Sequence, residues 1–396
     1  MTSRRPPERL QYRRGRLRYR LSLLLILGSI PLAWSGDLPA RLGLHSGREL
    51  YDAACSACHG MHGEGTPTSL AGFDQPATFP HFNECDETTP EFTRDWKAVI
   101  LDGGAARGFS HIMPAFSGVL TARQVDQVVA YLRSLCSDTR WPLGELNVPR
   151  ALVTEKAFPE SETVLTSAIN AQGRAGVSNQ LAYEHAFGRR DQLEIAIPFE
   201  WAHQEDSSST AGLGDVAVGL KHVILARLNP PADGPLSDST GSILSVQGEV
   251  LLPTGSASRG FGSGYPGLGV FAAYDQLFPA QTFLQVQAGV ELPLRTRYVE
   301  RSAYVRTAFG KTFAEGDGSG RLWTPMLEAI ADRDLTRGAS TDYDVVGEFQ
   351  VTLSRRQHVR AAVGYLIPVN NTSDRPRQIQ LYVLWDWFDG SLSEGW

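Results

Sequence analysis

The sequence predicts two domains: a small all-α domain followed by an all-β antiparallel domain of about twelve strands. Its 396 residues are too many for a single small helical domain. Apolar residues recur with helical spacing up to about residue 135. From residue 162 onward they alternate with polar residues instead, which is the period of a β-strand. The change of period predicts a domain boundary between these two positions.

The first 35 residues differ in composition from the rest of the chain. Eight arginines precede an apolar run over 21–34, which is shorter than a bilayer-spanning helix usually needs. Ala33-Trp34-Ser35 places small residues at the spacing of a cleavage site. We therefore expect residues 1–35 to be a signal peptide for export, with an uncleaved inner-membrane anchor as the alternative. Arg4-Arg5 is followed by two prolines, which does not fit a twin-arginine signal.

The net charge and the cysteines bear on the expected partners and on the cellular compartment. The whole chain has a net charge of −6, and removal of the arginine-rich leader would change this to about −13, which excludes nucleic acid as an expected partner. All four cysteines lie between residues 55 and 136. A sparse and clustered use of cysteine is compatible with an oxidising compartment such as the periplasm.

The strongest chemical signal is Cys55-Ser56-Ala57-Cys58-His59. Two thiols one short turn apart can add to the two vinyl groups of haem, and the adjacent histidine is placed to bind the iron. We predict one covalent haem c, attached through Cys55 and Cys58, with His59 as an axial ligand. A redox dithiol and half of a zinc site are the alternatives. The immediate histidine and the export signal disfavour both.

The second axial ligand is expected among the few methionines. Met61 is too close to the attachment site to reach the other face of the ring, and Met326 belongs to the second domain. Met113 lies in a loop followed directly by a proline, and a thioether there would stabilise ferrous iron. The alternative is that Met113 only packs against the haem while His111 or His81 binds the iron.

Residues 45–140 resemble the monohaem class I cytochromes c. The resemblance rests on Gly47-Arg-Glu-Leu-Tyr51, on Cys58-His59-Gly60 with Gly63 and Gly65, and on the helical pattern over 120–132. It implies a small helical fold whose N-terminal and C-terminal helices pack together, and a one-electron carrier. Apolar residues at 125, 128, 129 and 132 provide one face for that packing, and Thr121 is a plausible N-cap.

One segment departs from a minimal domain of this family. Residues 75–96 are longer and more polar than needed, and they contain Cys85. In an oxidising compartment a disulfide between Cys85 and Cys136 is the economical interpretation. Two unpaired buried thiols are the alternative. His62 and His81 are expected to be surface or loop residues and not extra ligands.

After a proline-containing linker, 141–161, the second domain is predicted over 162–396. Its strand pattern recurs in segments separated by glycine-rich and proline-rich turns: 162–171, 176–187, 191–202, 213–227, 242–253, 265–277, 281–294, 302–313, 320–332, 342–354, 357–369 and 377–388.

Two architectures fit these segments, a soluble sandwich and a membrane β-barrel. Sandwich strands are usually five or six residues long, whereas membrane strands need about nine to eleven, with aromatic residues near their ends. The predicted lengths and the aromatics favour a membrane barrel. The mid-strand carboxylates are expected to be solvated lining of a wet lumen, because a dry core could not hold so many unpaired acids: Glu194, Glu249, Glu291, Glu328 and Glu348.

Two glycine-rich segments, 212–221 and 252–262, are similar to the phenol-degradation MetA-type group of outer-membrane barrels. That resemblance implies a barrel and transport of small organic molecules.

The sequence as a whole predicts a porin–cytochrome fusion in the outer membrane of a Gram-negative bacterium. The cytochrome domain would lie in the periplasm and exchange electrons with periplasmic redox proteins or other cytochromes. No hydrolytic site stands out, so an electron carrier is expected and not an enzyme. The alternatives are a channel for small organic molecules with an accessory cytochrome, and a soluble periplasmic redox subunit.

Overall fold

The computed structural model describes residues 43–396, apart from 68–72, 74, 77–78, 204–208, 232–238, 296–299, 316–319 and 374. The predicted signal peptide, 1–35, lies outside the described residues. No helix within the described ranges is long and apolar enough to cross a membrane.

Short α-helices form the described part of the N-terminal domain. They are α1 (Gly47–Ala54), α2 (Ser56–His59), α3 (Cys85–Thr88), α4 (Thr93–Asp102) and α5 (Ala122–Leu135). The predicted N-cap of α5 is confirmed, since the Thr121 hydroxyl accepts a hydrogen bond from the Gln124 backbone N–H at 3.2 Å. Residues Gly104–Arg107 form a 3₁₀ turn directly after α4.

Helices α1 and α5 pack together as the apolar pattern predicts. Leu50 and Tyr51 of α1 are buried in one cluster with the apolar residues of α5 at 125, 128, 129 and 132. Gly47 makes the close approach possible, because a Cβ there would lie only 2.0 Å from the backbone oxygen of Gln127. The Tyr51 and Tyr131 rings meet 5.2 Å apart beside this crossing.

A disulfide joins Cys85 to Cys136, with the two Cα atoms 5.2 Å apart. It connects the start of α3 to the residue that ends α5. Cys55 and Cys58 are free thiols.

The second domain is one antiparallel sheet, and each predicted strand segment is confirmed with small changes at its ends. Its strands are β1 (Glu162–Asn170), β2 (Gly176–Phe187), β3 (Asp191–His203), β4 (Ser209–Leu213), β5 (Val216–Asn229), β6 (Thr240–Leu252), β7 (Gly267–Phe278), β8 (Thr282–Pro293), β9 (Ser302–Lys311), β10 (Phe313–Ala314), β11 (Leu322–Asp334), β12 (Thr341–Thr352), β13 (Val359–Pro368) and β14 (Gln378–Asp386).

The sheet closes on itself as a barrel of twelve strand positions. β1 pairs with β14, and β9 pairs with β11, so every position has two neighbours. The short β4 pairs with β3 beside β5, so β4 and β5 together occupy one strand position. The short β10 pairs with β11 beside β9, so β9 and β10 together occupy another. Closure leaves no unpaired sheet edge, which is what a strand-built domain needs within a bilayer.

The outside of the barrel is apolar. Leu220, Phe309, Leu327 and Val363 are each more than half exposed on outward-facing positions. The neighbours of Leu327 point inward instead and are buried, among them Glu328, as the period-2 pattern requires. An exposed apolar surface of this extent would be unfavourable in water but matches hydrocarbon. The domain therefore has the architecture of an outer-membrane β-barrel.

The inside of the barrel is not an open, wet lumen along its length. Residues 144–160 enter from the barrel end that carries residue 162 and are hydrogen bonded to inward-facing side chains of several strands; we call this segment the plug. Leu146, Val148, Ala157 and Phe158 of the plug are buried, three of them in one cluster with Val223 and Ile243 of the barrel wall.

Charged side chains of the wall hold the plug in place. Arg150 donates hydrogen bonds to Glu162 at 3.0 Å and to Glu184 at 2.7 Å, both of which are fully buried. The backbone N–H of Thr154 donates to Glu328 at 2.7 Å, and that of Leu152 donates to Glu348 at 3.0 Å.

These contacts correct two predictions. Residues 141–161 are not a simple linker, because most of the segment lies inside the barrel. Glu328 and Glu348 are not solvated lining, since they accept hydrogen bonds from the plug, and Glu194 is buried and accepts one from Gln247 at 2.9 Å. The physical reason is that an irregular segment inside a barrel must satisfy its backbone N–H groups on the wall. Glu291 is exposed, as predicted.

The helical domain lies against the rim through which the plug enters. Arg94 of α4 donates to the Gln281 side chain in the β7–β8 turn at 2.8 Å. Arg189 in the β2–β3 turn pairs with Asp138, which follows α5, at 2.6 Å. The short turns 188–190 and 279–281 both belong to this rim.

Candidate functional site

The predicted attachment motif forms a single tight turn. The backbone oxygen of Cys55 accepts hydrogen bonds from the N–H groups of Cys58, at 3.1 Å, and of His59, at 2.9 Å. The buried Tyr51 hydroxyl donates to the backbone oxygen of Gly60 at 2.7 Å, which fastens this turn to α1. The turn is therefore anchored to the α1–α5 crossing.

A cavity of about 420 Å³ opens beside this turn. Cys55, Cys58, His59 and Met113 all lie in its wall. Its other walls are mostly apolar, with Phe79, Phe82, Trp96, Val99, Ile100, Ile112, Phe116 and Leu132 among the lining residues. His81 and His111, the alternative ligands, are not among the described residues that line it. His81 instead meets Glu87 at 3.1 Å, and His111 is exposed.

Met113 is held at the cavity by the glycines after α4. The N–H of Gly104 donates to the backbone oxygen of Met113 at 3.1 Å. A Cβ at Gly104 would lie 2.4 Å from the backbone oxygen of Ser110, so only glycine fits there without displacement. The N–H of Phe116 donates to Ile100 of α4 at 2.9 Å and fixes the far side of the segment.

Part of the cavity wall comes from the barrel domain, which the sequence did not predict. Arg356, in the β12–β13 turn, and Phe388 and Asp389, which follow β14, line the same cavity as Met113. They stand more than 240 positions from Met113 in the chain, so no local pattern connects them.

Burial sets the protonation of the two groups at the attachment turn. It raises the pKa of the Cys55 thiol to about 11, with the neighbouring Cys58 adding to the rise. Redox dithiols work through a lowered thiol pKa, so this environment disfavours the dithiol alternative. Burial lowers the pKa of His59 to about 4, which keeps the imidazole neutral and able to bind a metal.

The residues present fit a haem c. The donor set consists of two free thiols, one imidazole and one thioether on the wall of a single apolar cavity. The buried Nδ1 atom of His59 has no hydrogen-bond partner among the described residues, so the protein itself does not engage this ring nitrogen. A zinc site lacks its ligands, since no cluster of three or more His, Cys, Asp or Glu side chains with metal-binding geometry occurs within the described ranges.

Glu91, which lines the cavity, makes the folding stability depend on pH. Burial raises the pKa of its carboxyl group from 4.5 to about 7, and the nearby Asp95 adds to the rise although a hydrogen bond with Asp389 opposes it. The folded state thus binds the proton more tightly than the unfolded state. The stabilisation is complete below pH 4.5 and is lost as the pH rises through about 7.

We expect the unfolding temperature of the helical domain to fall between about pH 5 and about pH 8, and expect Glu91→Gln to remove much of that fall. Unfolding followed through aromatic circular dichroism at several pH values measures it. Asp86→Asn, at an exposed carboxyl, is the control. An identical pH profile for wild type and Glu91→Gln would contradict the expectation.

One family model matches the helical part of the chain. Residues 43–132 match the family model described as "Cytochrome C oxidase, cbb3-type, subunit III". The matched region spans most of the helical domain. Among curated proteins, none matches the chain.

Among solved structures, the barrel domain is similar to several outer-membrane barrels at low identity. A KdgM porin shares 9% identity and covers 57% of this chain and 98% of its own, with a TM-score of 0.34. An outer membrane channel from Pseudomonas putida F1 shares 12% and covers 60% and 99%, with a TM-score of 0.37. LpxR from Salmonella typhimurium shares 10% and covers 57% and 99%, with a TM-score of 0.35.

Proposed function

We propose that this protein is an electron carrier anchored in the outer membrane, with one covalent haem c that exchanges electrons with periplasmic redox proteins or other cytochromes. The observation that carries the proposal is the meeting of Cys55, Cys58, His59 and Met113 on one apolar cavity. A haem c bound there supplies a one-electron iron(III)/iron(II) couple. The chain would supply the attachment residues, the iron ligands and a surrounding of low polarity.

Each of the four residues has a distinct role in this proposal. Cys55 and Cys58 would hold the haem through two thioether bonds to its vinyl groups. His59 provides a neutral nitrogen ligand. Met113 would provide a thioether ligand, and such a ligand favours reduced iron and raises the reduction potential.

The barrel supports a periplasmic position for the helical domain. An even number of strands brings both ends of the barrel to one rim, and the helical domain lies against that rim. Outer-membrane barrels have short periplasmic turns, and the turns 188–190 and 279–281 on this rim are short. The haem site would then face carriers in the periplasm.

The plug favours an anchoring barrel over an open pore. A channel for small organic molecules would need a free path past residues 144–160, which are hydrogen bonded to several strands. A single haem at the rim also cannot carry electrons across a hydrocarbon layer of about 30 Å. Transfer across the membrane would therefore require partner cytochromes.

The methionine provides the sharpest test of the site. We expect Met113→Ala to lose the weak long-wavelength absorption of sulfur-ligated ferric haem and to lower the reduction potential. A tenfold or larger change in the one-electron equilibrium, about 59 mV, is expected. Met61→Ala is the matched control, because Met61 is 54% exposed and lies outside the cavity wall. Equal potentials for the two variants would contradict ligation by Met113.

A second experiment tests the combination of the domains. Haem staining of a denaturing gel of outer-membrane fractions should show a covalent haem band that shifts in mobility on boiling, as membrane barrels do. Cys55→Ala with Cys58→Ala should abolish the stain but keep the heat-dependent shift. A stained band only in the soluble fraction would refute the membrane anchor.

A further inference from the structure

We propose that the barrel positions Met113 at the cavity, with Arg356 as the positioning residue. The inference rests on the proposed function, since it concerns a haem bound at the cavity. It goes beyond that function because it makes the outer-membrane barrel a structural part of the redox site.

Arg356 reaches from the β12–β13 turn to the helical domain. Its Nη2 donates to the backbone oxygen of Gly108 at 2.7 Å, and its guanidinium carbon lies 4.5 Å from the centre of the Phe109 ring. The side chain is 5% exposed, so both contacts are shielded from solvent. A buried hydrogen bond from a charged donor is worth more than a neutral one, which makes this a firm connection.

The segment after β14 holds Arg356 in this position. The Arg356 Nη1 donates to the backbone oxygen of Asp389 at 2.9 Å and pairs with Glu394 at 3.2 Å. Its backbone N–H donates to Gly395 at 3.2 Å. Gly395 packs directly on Gly108, where a Cβ would lie 2.6 Å from the Gly395 Cα atom. The guanidinium is therefore clamped between the barrel rim and the helical domain.

A short series of contacts leads from Arg356 to Met113. The N–H of Phe109 donates to the backbone oxygen of Gly104 at 2.8 Å, and the N–H of Gly104 donates to Met113 at 3.1 Å. The backbone oxygen of Ser110 also packs closely on Gly104, so residues 104–113 cannot easily rearrange when one part of the segment moves. A shift at Gly108 or Phe109 must then move Met113 relative to His59.

The planar guanidinium matters for this role. Its Nη2 and Nη1 atoms donate hydrogen bonds to the backbone oxygens of Gly108 and Asp389, and its planar face lies over the Phe109 ring. A lysine ammonium cannot make all three contacts at once. Lysine keeps the charge but offers a single donor centre. A lysine variant therefore separates the effect of position from the effect of charge.

The test compares three variants of the full-length protein in outer-membrane preparations: Arg356→Ala, Arg356→Lys and Arg355→Ala. Arg355 is the exposed neighbour in the same turn and serves as the control. The readouts are the long-wavelength absorption of sulfur-ligated ferric haem, the reduction potential and the heat-dependent gel shift. None of them depends on a redox partner.

We expect Arg356→Ala to lose most of the sulfur-ligation band and to shift the one-electron equilibrium at least tenfold toward the ferric form. Arg356→Lys should restore part of the band, and Arg355→Ala should match the wild type. Full retention of the band in Arg356→Ala would overturn the proposal. A lowered potential with an intact band would also overturn it, because Arg356 would then act through its charge alone.

A second variant covers the case in which Arg356→Ala fails to assemble. Gly395→Val keeps the guanidinium but disturbs its packing, since a Cβ at Gly395 would lie 2.7 Å from the Arg356 Cβ and the φ of Gly395 is +70°. It should weaken the same band while the gel shift persists, and an unchanged band would overturn the proposal. The proposed function fails separately, if the wild type itself shows no covalent haem or no sulfur ligation.

Discussion

Replacement of Arg150 by alanine is expected to release the plug and convert a closed barrel into a conducting one. Arg150 is the shared partner of Glu162 and Glu184, which are fully buried, and it also pairs with Glu155 at 3.0 Å. Removing one partner of a buried ion pair costs about 3–5 kcal/mol, because it leaves the remaining charges uncompensated. Water entering beside the plug is the simplest way for these carboxylates to regain solvation.

Planar bilayer recordings of purified protein measure this effect. We expect the wild type to show little conductance and Arg150→Ala to show frequent openings, together with a lower temperature for the heat-dependent gel shift. Arg140→Ala is the control, because Arg140 pairs with Asp138 on an exposed surface of the rim. A variant that stays closed and as heat-resistant as the wild type would show that Arg150 does not hold the plug.

The second large effect is expected from Gly47→Val in the helical domain. A valine Cβ would lie 2.0 Å from the Gln127 oxygen and 2.7 Å from its carbonyl carbon, so α1 and α5 must separate. Overpacking usually lowers the free energy of unfolding by about 1–3 kcal/mol, and we expect a clash with a backbone atom to cost at least the upper value. Total stabilities of about 5–15 kcal/mol leave little reserve against such a loss.

We expect the Gly47→Val protein to reach the membrane with a small fraction of the normal covalent haem. The barrel should keep its heat-dependent shift, because its buried clusters share no residue with the cluster around α1 and α5. Gly43→Ala is the matched control, since a Cβ at Gly43 meets nothing within 4 Å. Normal haem content in Gly47→Val would mean that the helix crossing tolerates separation.

Local patterns in the chain were sufficient for most of the fold. The period-2 segments placed the barrel strands to within a few residues, because the two faces of each strand meet different environments, and a slip of one residue would exchange them. The Thr121 cap and the apolar face of α5 followed from spacing alone. The motif at Cys55–His59 identified the attachment turn, since its residues lie within one turn.

The sequence patterns did not predict the plug. Residues 144–160 have neither a helical nor a strand period, so they resemble a linker in sequence. Their partners, such as Glu328 and Glu348, are far away in the chain, and an inward-facing glutamate looks the same whether it meets water or a backbone N–H. Only the closure of the barrel around the segment distinguishes the two cases.

The sequence by itself determined the two fold classes, the attachment turn and the choice of Met113 over the other methionines as the ligand candidate. These features depend on residues near one another in the chain or on elimination among a few residues. The tertiary structure decided what fills the barrel and which barrel residues complete the haem cavity. Those features depend on contacts such as Arg356 with Gly108 and Arg150 with Glu184, which form only after the sheet has closed and the helical domain has packed on its rim.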